Sequence, residues 1–365
     1  MLTHSLQAGA AQICKMKKDI TLTVAIPSYN RLEPLENIIK QCKKQTDQNF
    51  TILISNDAPD NKDIERMVKK HQKTTPNLIY HCNETNLGFS GNVYKLYELT
   101  MTRYVWFLCD DDTIFPDSVE KIRKSLGTYE PVVAVYNCTW FDAYGVKSNP
   151  GITKDTLYND ILELKDYHPL MRTTFLSTLV LEKRTPALEI KKTNYKDNVY
   201  VQVTLSLLLL SHRFKFCEIA STILHRNVGY KYGDFFKFYL VDVLKAVHEI
   251  NHKFDNKKFT AWMIQDLPNA LKLYLSQKLG LFRYAQEPSL DTINKISKYY
   301  GNYKYFIYSF KYIKLLTPTI FLKIIYFAQL VLIHGYKNAF RIYNQNINRA
   351  YTDNRKGGFM NYKYS

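Results

Sequence analysis

The chain has 365 residues, of which 46% are hydrophobic, so it can bury a substantial core in one large domain or two. Fifty Lys and Arg against 33 Asp and Glu give a formal net charge of +17, which favours nucleic acid, an anionic membrane or phosphorylated substrates as partners. The six cysteines are scattered without a CxxC pair, which argues against a zinc site and a disulfide framework and favours reduced thiols in a cytosolic protein.

The N-terminal segment shows no regular pattern that would predict a helix or a strand. Before Asp19 there is no continuous apolar run of the length that a secretory signal peptide requires. We therefore expect residues 1–18 to form a loose tail ahead of the first strand.

Strand-like and helix-like segments alternate between residues 19 and 136. Apolar residues recur at helical spacing between the strands, as in Leu35, Ile38, Ile39 and Cys42. The predicted strands are ITLTVAIPS (20–28), FTILIS (50–55), LIYH (78–81), YVWFLC (104–109) and PVVAVY (131–136). This alternation predicts an α/β fold with βαβ units, a mostly parallel, Rossmann-like sheet and flanking helices.

The alternation weakens after residue 140. VYVQVTLSLLLLSHR (199–213) predicts a buried helix, and FKFCEIASTILHR (214–226) predicts extended structure after it. From about residue 234 the sequence is helical in pattern and rich in aromatic residues. We therefore expect an α/β domain over residues 19–230 and a mainly helical, basic region over residues 231–365.

Polar and acidic residues follow each of the first four predicted strands. The segments are PSYNR, NDAPD, NETNLGFSGN and DDD, the last being Asp110 to Asp112. Ligands of an open parallel sheet bind outside the carboxyl ends of its strands, and carboxylates select Mg²⁺ or Mn²⁺. The pattern favours a nucleotide diphosphate with a metal that neutralises the leaving diphosphate. No GxxxxGK[ST] and no GxGxxG follow the first strand, so kinase-like and dinucleotide-binding functions are disfavoured.

Four of these segments together resemble a known family. VAIPSYNR, ISNDAPD, NETNLGFSGN and WFLCDDD resemble the successive blocks of the family 2 glycosyltransferases, which share the GT-A fold. The resemblance covers residues 19–136 and extends more weakly to about residue 230. It implies the inverting transfer of a sugar from a nucleotide-diphosphate donor, as in bacterial surface polysaccharide (capsule or O-antigen) synthesis.

The resemblance also implies roles for single residues. Asp57 matches the aspartate that contacts the donor base, while Asp110 and Asp112 match the outer carboxylates of the DxD element, on ribose and metal. The family usually has a second acid where this chain has Asn56, so contacts to base or ribose are expected to differ. The metal candidates are Asp112 and His225, with Mn²⁺ or Mg²⁺ as the cofactor. The candidates for binding the donor nucleotide are Pro27, Tyr29, Arg31, Asp57, Asn86, Asp110 and Asp111.

The catalytic base is expected in the second half of the domain. An inverting transfer needs a carboxylate that takes the proton of the acceptor hydroxyl. The family often places this carboxylate at the start of a helix, and NYKDNVYVQVTL offers Asp197 there. Where the family has two adjacent acids, this chain has Lys196 followed by Asp197. LHRNVGY, with His225 and Arg226, resembles the basic segment that closes over the donor diphosphate. His225 could ligate the metal or hold a phosphate oxygen.

The acidic candidates also have a purely structural interpretation. Asp110 to Asp112 could be an ordinary turn that caps the helix predicted to begin near Pro116. Asp57 could be a turn or capping residue, and Asp197 a plain N-cap.

The same holds for the other polar candidates. Asn86 and Asn92 could merely shape a loop in which Gly88 takes a positive φ. His225 could be a hydrogen-bonded structural histidine, and Arg31 a solvated surface charge. The isolated cysteines are expected to be small core residues.

The C-terminal region carries about half of the basic surplus. Residues 301–365 contain ten Lys or Arg and a single acid, Asp353. The apolar segment 315–333 approaches the ~20 residues of a membrane-spanning helix, but Pro318 and Lys323 interrupt it. This pattern predicts a helix lying in the membrane interface, with a buried helix packed on the catalytic domain as the alternative. It favours a cytoplasmic enzyme, peripheral on the inner face of the bacterial cell membrane and bound to anionic lipid. Together with the resemblance, it implies an acceptor that is a glycan, free or linked to polyprenyl diphosphate.

Three rival functions remain open at this point. A nucleotidyltransferase would also use a metal and an α/β nucleotide fold but would transfer a phosphoryl group. A basic nucleic-acid-binding module agrees with the charge, yet no such motif is present and the basic surplus lies mainly outside the acidic segments, so no nucleic acid partner is expected. An inactive transferase relative that serves as a scaffold is the third.

Overall fold

A computed structural model of the chain describes residues 20–141, 147–148, 151–164, 172–184 and 200–226, together with residues 291, 294 and 328. The chain divides into two compact units, residues 1–228 with 249–254 and residues 229–248 with 255–365. All elements given below belong to the first unit. Asp197 and the predicted helix of the membrane interface lie outside the described residues, and the predicted domain limits stay predictions.

The described part of the first unit alternates strands with helices. The strands are β1 (Leu22–Ser28), β2 (Thr51–Asn56), β3 (Leu78–Cys82), β4 (Tyr104–Phe107), β5 (Thr113–Ile114), β6 (Val133–Phe141), β7 (Lys147–Ser148), β8 (Thr156–Tyr158), β9 (Leu179–Glu182) and β10 (Phe216–Arg226). The helices are α1 (Leu32–Lys43), α2 (Lys62–Gln72), α3 (Gly88–Leu99), α4 (Ser118–Tyr129) and α5 (Val201–His212). Short 3-10 turns cover Ile161–Glu163, Arg172–Thr174 and Leu176–Thr178. No helix in these ranges is long and apolar enough to cross a lipid bilayer.

The strands form one mixed sheet in the order β3-β2-β1-β4-β9-β6-β10-β5, with β7 paired to β6 and β8 to β10. β1 is parallel to β2 and β4, β2 to β3, and β6 to β10. β9 is antiparallel to both β4 and β6. Two antiparallel steps restore the direction, so β6 and β10 still run parallel to β4. The predicted α/β fold with flanking helices is confirmed. β9 lies between β4 and β6, the last two strands of the predicted alternation of strands and helices.

The apolar stripes predicted for the helices are the faces that they bury. In α1, Leu35, Ile38, Ile39 and Cys42 are all buried, as helical spacing of apolar residues requires. α5 is buried along its length from Val201 to Leu210, which agrees with its continuous apolar sequence.

β4 runs through the centre of the sheet and carries the largest buried side chains. Tyr104, Trp106 and Phe107 are fully buried. The indole N–H of Trp106 donates to the Ser177 carbonyl oxygen at 2.8 Å, and the Cys109 N–H donates to the Ser177 hydroxyl at 2.9 Å. The 3-10 turn at Leu176–Thr178 thereby fixes the segment that follows β4. The five described cysteines are free thiols, three of them buried in the core as expected: Cys42, Cys138 and Cys217.

Candidate active site

The carboxyl ends of β1, β2 and β4 meet at one rim of the sheet. The Asp57 N–H donates to the Ser28 carbonyl oxygen at 2.9 Å, just beyond the end of β2. The Leu108 N–H donates to the Ala25 carbonyl oxygen at 2.9 Å, just beyond the end of β4. Both bonds continue the parallel ladders past the strands. They hold Asp57 and the residues after Leu108 at the same rim, as the sequence predicts.

Three carboxylates form the acidic turn, Asp110 to Asp112, directly after β4. Asp110 and Asp112 are each only 5% exposed, while the side chain of Asp111 is partly open to solvent. The N-cap position of α4 is Asp117, so the acidic turn is not the cap of that helix. Burying neighbouring carboxylates is costly unless positive charge compensates them. The turn therefore requires cations.

Arg31 supplies one of these cations. Its Nη1 lies 3.0 Å from Asp110 Oδ1 and 3.2 Å from Asp111 Oδ2, and the Ser28 hydroxyl donates to Asp110 Oδ2 at 3.4 Å. The preceding residue, Asn30, has a φ of +53°, a left-handed conformation that asparagine adopts more readily than most residues. Arg31 is therefore not a solvated surface charge, because it joins the end of β1 to the acidic turn.

Burial dominates the ionisation of Asp110. It raises the pKa of this carboxyl group to about 6, and the charge of Asp111 adds to the rise. Arg31 and the Ser28 hydroxyl act in the opposite direction and lower the same pKa. A further cation at the turn would favour the ionised form of Asp110 in the same way as Arg31 does.

The acidic turn offers oxygen ligands for a divalent cation. Ligand atoms of Cys109, Asp111 and Asp112 lie within 4.8 Å of one another. Burial, and next the charge of Asp112, raise the pKa of the Cys109 thiol, so the sulfur stays protonated and is a poor ligand for Mg²⁺ or Mn²⁺. The two carboxylates fit such an ion. Asp111, expected to contact the donor, thus lies within reach of the same ion as Asp112.

His225 lies at the same rim but outside this group of ligand atoms. Its Cα pairs with that of Thr113, the residue after Asp112, in the antiparallel ladder of β10 and β5. Its Nδ1 lies 2.8 Å from Thr139 Oγ1. The structure therefore gives His225 a hydrogen-bond partner on β6, and its role as a metal ligand stays a prediction.

Asp57 is held by a buried network of amides. It is 2% exposed, and its Oδ1 accepts hydrogen bonds from Asn83 Nδ2 and from the Leu87 N–H, both at 2.8 Å. Asn83 Nδ2 also donates to Asn92 Oδ1 at 3.1 Å. The N-cap of α2 is Asn61, whose side chain accepts from the Asp63 N–H, so Asp57 does not cap that helix.

Asn83 is the residue of this network that the sequence did not single out. It is 3% exposed and contacts both Asp57 and Asn92, whereas Asn92 Nδ2 donates onward to the Ser55 carbonyl oxygen at 3.0 Å. In sequence, Asn83 is one of several polar residues in a predicted loop. Nothing local distinguishes a buried amide there from an exposed one.

Asn86 is an exposed loop residue. Its Oδ1 accepts from the Gly88 N–H at 2.7 Å, and Gly88 has a φ of +72°, as expected for a glycine that turns the chain. Asn86 therefore shapes the entry into α3, and a contact with the donor stays a prediction.

Asn56, which replaces an acid of the family pattern, is turned into the protein. Its Nδ2 donates to the Ala58 carbonyl oxygen and to the Tyr80 hydroxyl, both at 3.1 Å, and its Oδ1 accepts from the Ala58 N–H at 3.1 Å. An ionised carboxylate has no donor for the first two bonds. The amide is therefore a structural requirement of the turn after β2.

The remaining candidates are Pro27, Tyr29 and Asp197. Pro27 is buried in β1 opposite Ser55 of β2, and Tyr29 follows that strand with its side chain 52% exposed. The ring of Tyr29 is thus accessible at the rim. Asp197 lies outside the described residues.

Comparison with known proteins finds a family match over part of the chain. Residues 23–179 match the glycosyl transferase family 2 model. The uncharacterized glycosyltransferase MJ1057 of Methanocaldococcus jannaschii is 27% identical over 135 residues, 37% of this chain and 45% of that protein. An uncharacterized glycosyltransferase of Haemophilus influenzae is 29% identical over 116 residues, 32% of this chain and 38% of that protein. The chain thus matches less than half the length of each of these relatives.

Solved structures share the fold. Staphylococcus aureus TarS 1–349 in complex with UDP has a TM-score of 0.55 at 11% identity, and the same protein in complex with UDP-GlcNAc has a TM-score of 0.56 at 12% identity. Each match covers 94% of both chains. Such low identities establish a common fold alone. The matched segment and the two relatives support glycosyl transferase family 2 for residues 23–179, and the solved structures support the GT-A fold.

Proposed function

We propose that the protein transfers a sugar, with inversion, from a nucleoside-diphosphate donor to an acceptor hydroxyl, in a reaction that depends on Mn²⁺ or Mg²⁺. The observation that carries this proposal is the meeting of two acidic features at one rim of the sheet. Asp57 is held there by buried amides, and the acidic turn is linked to β1 through Arg31 and Ser28. This arrangement can hold a base, a ribose and a diphosphate side by side.

The nucleoside is bound at the ends of β1 and β2 in this proposal. The Asp57 carboxylate accepts from a base N–H, and the exposed ring of Tyr29 offers a face on which the base stacks. Pro27 and Asn86 line the same part of the rim, and Asp110 accepts from the ribose. Because the related TarS structures contain UDP and UDP-GlcNAc, uridine diphosphate sugars are the first donors to test.

The diphosphate lies against the acidic turn. Asp111 and Asp112 would hold the divalent ion, which when bound stabilises the charge of the leaving diphosphate as a Lewis acid. Arg31, whose side chain is one third exposed, lies where it can also pair with a phosphate oxygen. His225 and Arg226, at the end of β10, would close over the diphosphate, with His225 as a further ligand or a phosphate contact.

Asp197 is proposed as the base on grounds of the resemblance. It would take the proton of the acceptor hydroxyl while that oxygen attacks the sugar carbon on the face opposite the leaving group, which inverts the configuration.

The acceptor and the location are proposed from the basic C-terminal sequence. We infer a glycan acceptor, free or carried on polyprenyl diphosphate, in the synthesis of bacterial capsule or O-antigen. The enzyme would work in the cytoplasm, peripheral on the inner face of the membrane, because each Lys or Arg near an anionic leaflet adds about 1 kcal/mol of attraction. Flotation with vesicles of phosphatidylglycerol at low and high salt tests this part. A protein that ignores them at low salt contradicts it.

The reaction is tested with a panel of nucleotide sugars. The full chain should be stabilised against heat by a uridine diphosphate sugar with Mn²⁺, more than by either alone. It should then release the nucleoside diphosphate while the sugar passes to an acceptor or, slowly, to water. Release of pyrophosphate would favour a nucleotidyltransferase. Tight, salt-dependent binding of random DNA with no binding of nucleotide sugars would favour a nucleic-acid-binding protein, and nucleotide binding without turnover would favour an inactive scaffold.

A further inference from the structure

A groove of about 540 Å³ lies at the end of the sheet away from Asp57. Its volume is within the range of ~300–1,000 Å³ that is typical of small-molecule sites. Strands β6 and β10, the segment between β5 and α4, and the first turn of α4 contribute to it. The lining residues are Phe115, Pro116, Asp117, Lys121, Thr139 and Thr222.

The lining combines an aromatic ring with hydroxyl groups and carries no net charge. The single lysine, Lys121, pairs with Asp117 at 2.9 Å, and its Nζ also lies 5.8 Å from the centre of the Phe115 ring. Thr139 and Thr222 provide hydroxyl groups that both donate and accept. A polyanion finds no surplus cation in this lining, whereas a neutral polyhydroxylated ring finds an apolar face and hydroxyl partners.

The aromatic residue is held in place by its backbone. The Phe115 N–H donates to the Ile223 carbonyl oxygen at 3.3 Å, and the Phe115 carbonyl oxygen accepts from Gln45 Nε2 at 2.8 Å. The Thr46 N–H donates to the Pro116 carbonyl oxygen at 2.9 Å. This wall of the groove is therefore formed before any ligand binds, which lowers the entropic cost of binding.

The groove begins where the acidic turn ends. Phe115 follows Asp112 by three residues, so an extended chain places them at most about 10 Å apart. Thr139, at the other side of the groove, lies 2.8 Å from the Nδ1 of His225. Along the strand order the nucleoside part of the rim is at β2 and β1, the acidic turn follows β4, and the groove is at β6, β10 and β5. A sugar in the groove would lie on the opposite side of the acidic turn from the nucleoside.

We propose that this groove binds a neutral sugar ring of the acceptor. That the bound sugar belongs to the acceptor rests on the proposed function. That the groove binds a sugar ring does not depend on it. Phe115 provides the face on which the ring packs, and the hydroxyls of Thr139 and Thr222 bond its hydroxyl groups. A hydroxyl of this ring would then lie on the side of the acidic turn opposite the nucleoside.

Saturation-transfer NMR of the full-length protein tests the proposal. The probes are methyl β-glucoside, methyl β-galactoside and the methyl β-glycoside of N-acetylglucosamine, with UDP and diamagnetic Mg²⁺ in excess so that nucleotide sites are filled. At least one probe should receive saturation. Thr222→Val and Phe115→Leu should each weaken its binding about three- to tenfold, the range expected for one hydrogen bond or a lost packing face. Thr222→Val is nearly isosteric and keeps the test valid if Phe115→Leu does not fold.

Thr128→Val is the matched control, because Thr128 lies on α4 outside the groove and its hydroxyl donates to the Lys124 carbonyl oxygen on the same helix. It should bind the probes like the wild type. UDP binding with Mn²⁺, measured by calorimetry, should be unchanged in all three variants. Absence of probe binding, or binding equal in the wild type and both groove variants, overturns the groove as a sugar site. Probe binding in a protein that binds neither UDP nor any nucleotide sugar keeps the groove and instead contradicts the proposed function.

Discussion

The two ends of the central strand β4 carry charge clusters of opposite composition. At the amino end of β4, the buried carboxylate of Glu182 accepts from Arg103 at 3.2 Å, Arg184 at 2.6 Å and Arg213 at 3.0 Å, so one acid is shared by three guanidinium groups. At the carboxyl end, the guanidinium group of Arg31 is shared by two carboxylates of the acidic turn, those of Asp110 and Asp111.

This difference separates a charge cluster that stabilises the fold from one that serves a ligand. Around Glu182 the negative charge is fully compensated by protein groups. This is what a buried ion pair needs in order to stabilise the fold, namely good geometry and additional hydrogen bonds. At the acidic turn, Asp110 and Asp111 share one guanidinium group, that of Arg31. Neighbouring acids in a cleft are typical of functional sites, and a divalent ion would add positive charge there. Substitutions in the two clusters should therefore change different properties of the protein.

Asp112→Asn should have the largest effect, on turnover. Removing one of two carboxylate ligands should lower kcat/KM by roughly 10³-fold, about 4 kcal/mol, because the ion no longer stabilises the leaving diphosphate. Release of nucleoside diphosphate at several Mn²⁺ concentrations measures this. Asp63→Asn is the control, since Asp63 is exposed on α2 and pairs with Arg66. Full activity of Asp112→Asn would remove this carboxylate from the site.

Glu182→Ala should chiefly change stability. It leaves three arginine side chains without their shared acid, and we expect the free energy of unfolding to fall by about 3 kcal/mol, at the low end for a buried pair because the arginines are partly exposed. Denaturant unfolding measures the loss. At low temperature the folded variant should bind UDP as the wild type does. Glu33→Ala, an exposed acid in the first turn of α1, is the control. A variant as stable as the wild type would mean that the Glu182 cluster does not stabilise the fold.

Asn83→Ala should weaken donor binding through Asp57. The Asp57 carboxylate loses one of its two donors, and a loss of about 1 kcal/mol would raise the donor KM by roughly fivefold with little change in kcat. Asn77→Ala also removes an amide, one that donates to the Phe50 carbonyl oxygen at 2.7 Å between β2 and β3. That variant should lose stability but keep its KM. Equal KM values in both variants would assign Asn83 a purely structural role.

Arg31→Met should have the smallest effect, and it should strengthen the binding of the metal ion, whereas Asp112→Asn should weaken it. Without the guanidinium group the acidic turn keeps all three acids but loses the positive charge of Arg31, so Mn²⁺ alone should raise the melting temperature more in the variant than in the wild type. The difference should correspond to no more than about 1 kcal/mol, because Arg31 is partly exposed. Thermal melts with and without Mn²⁺ compare the two proteins. A smaller shift in Arg31→Met would show that Arg31 assists the metal rather than substitutes for it.

The regular helices and strands are predictable because the spacing of apolar residues in the sequence follows their periodicity. The stripe of α1 and the continuous apolar sequence of α5 each follow from packing against a sheet. β5 and β9 are not predictable in this way. β5 has two residues, too few to show a period, and β9 has four residues, like β4, but lies outside the alternation of strands and helices that marks β4. Placing β9 between β4 and β6 depends on tertiary pairing that no local pattern records.

The candidate site shows the same division. Sequence blocks identify Asp57 and the acidic turn, since strand ends in a parallel sheet must meet at one rim. The partners of these residues come from distant parts of the chain, as with Arg31 and Asp110, which are 79 residues apart. A residue such as Asn83 acquires its role only when the loop folds over Asp57. Acidic residues are thus found from sequence more readily than the groups that orient them.

The inward amide of Asn56 also constrains how this chain can change. Replacing this amide by the acid of the family pattern, Asn56→Asp, would set a carboxylate against the Ala58 carbonyl oxygen, and the Tyr80 hydroxyl would have to change from acceptor to donor. A second acid after β2 therefore requires the Ala58 turn to change its geometry and Tyr80 to turn its hydroxyl proton. At this position the structure that supports the site, rather than the chemistry of the donor, disfavours the acid.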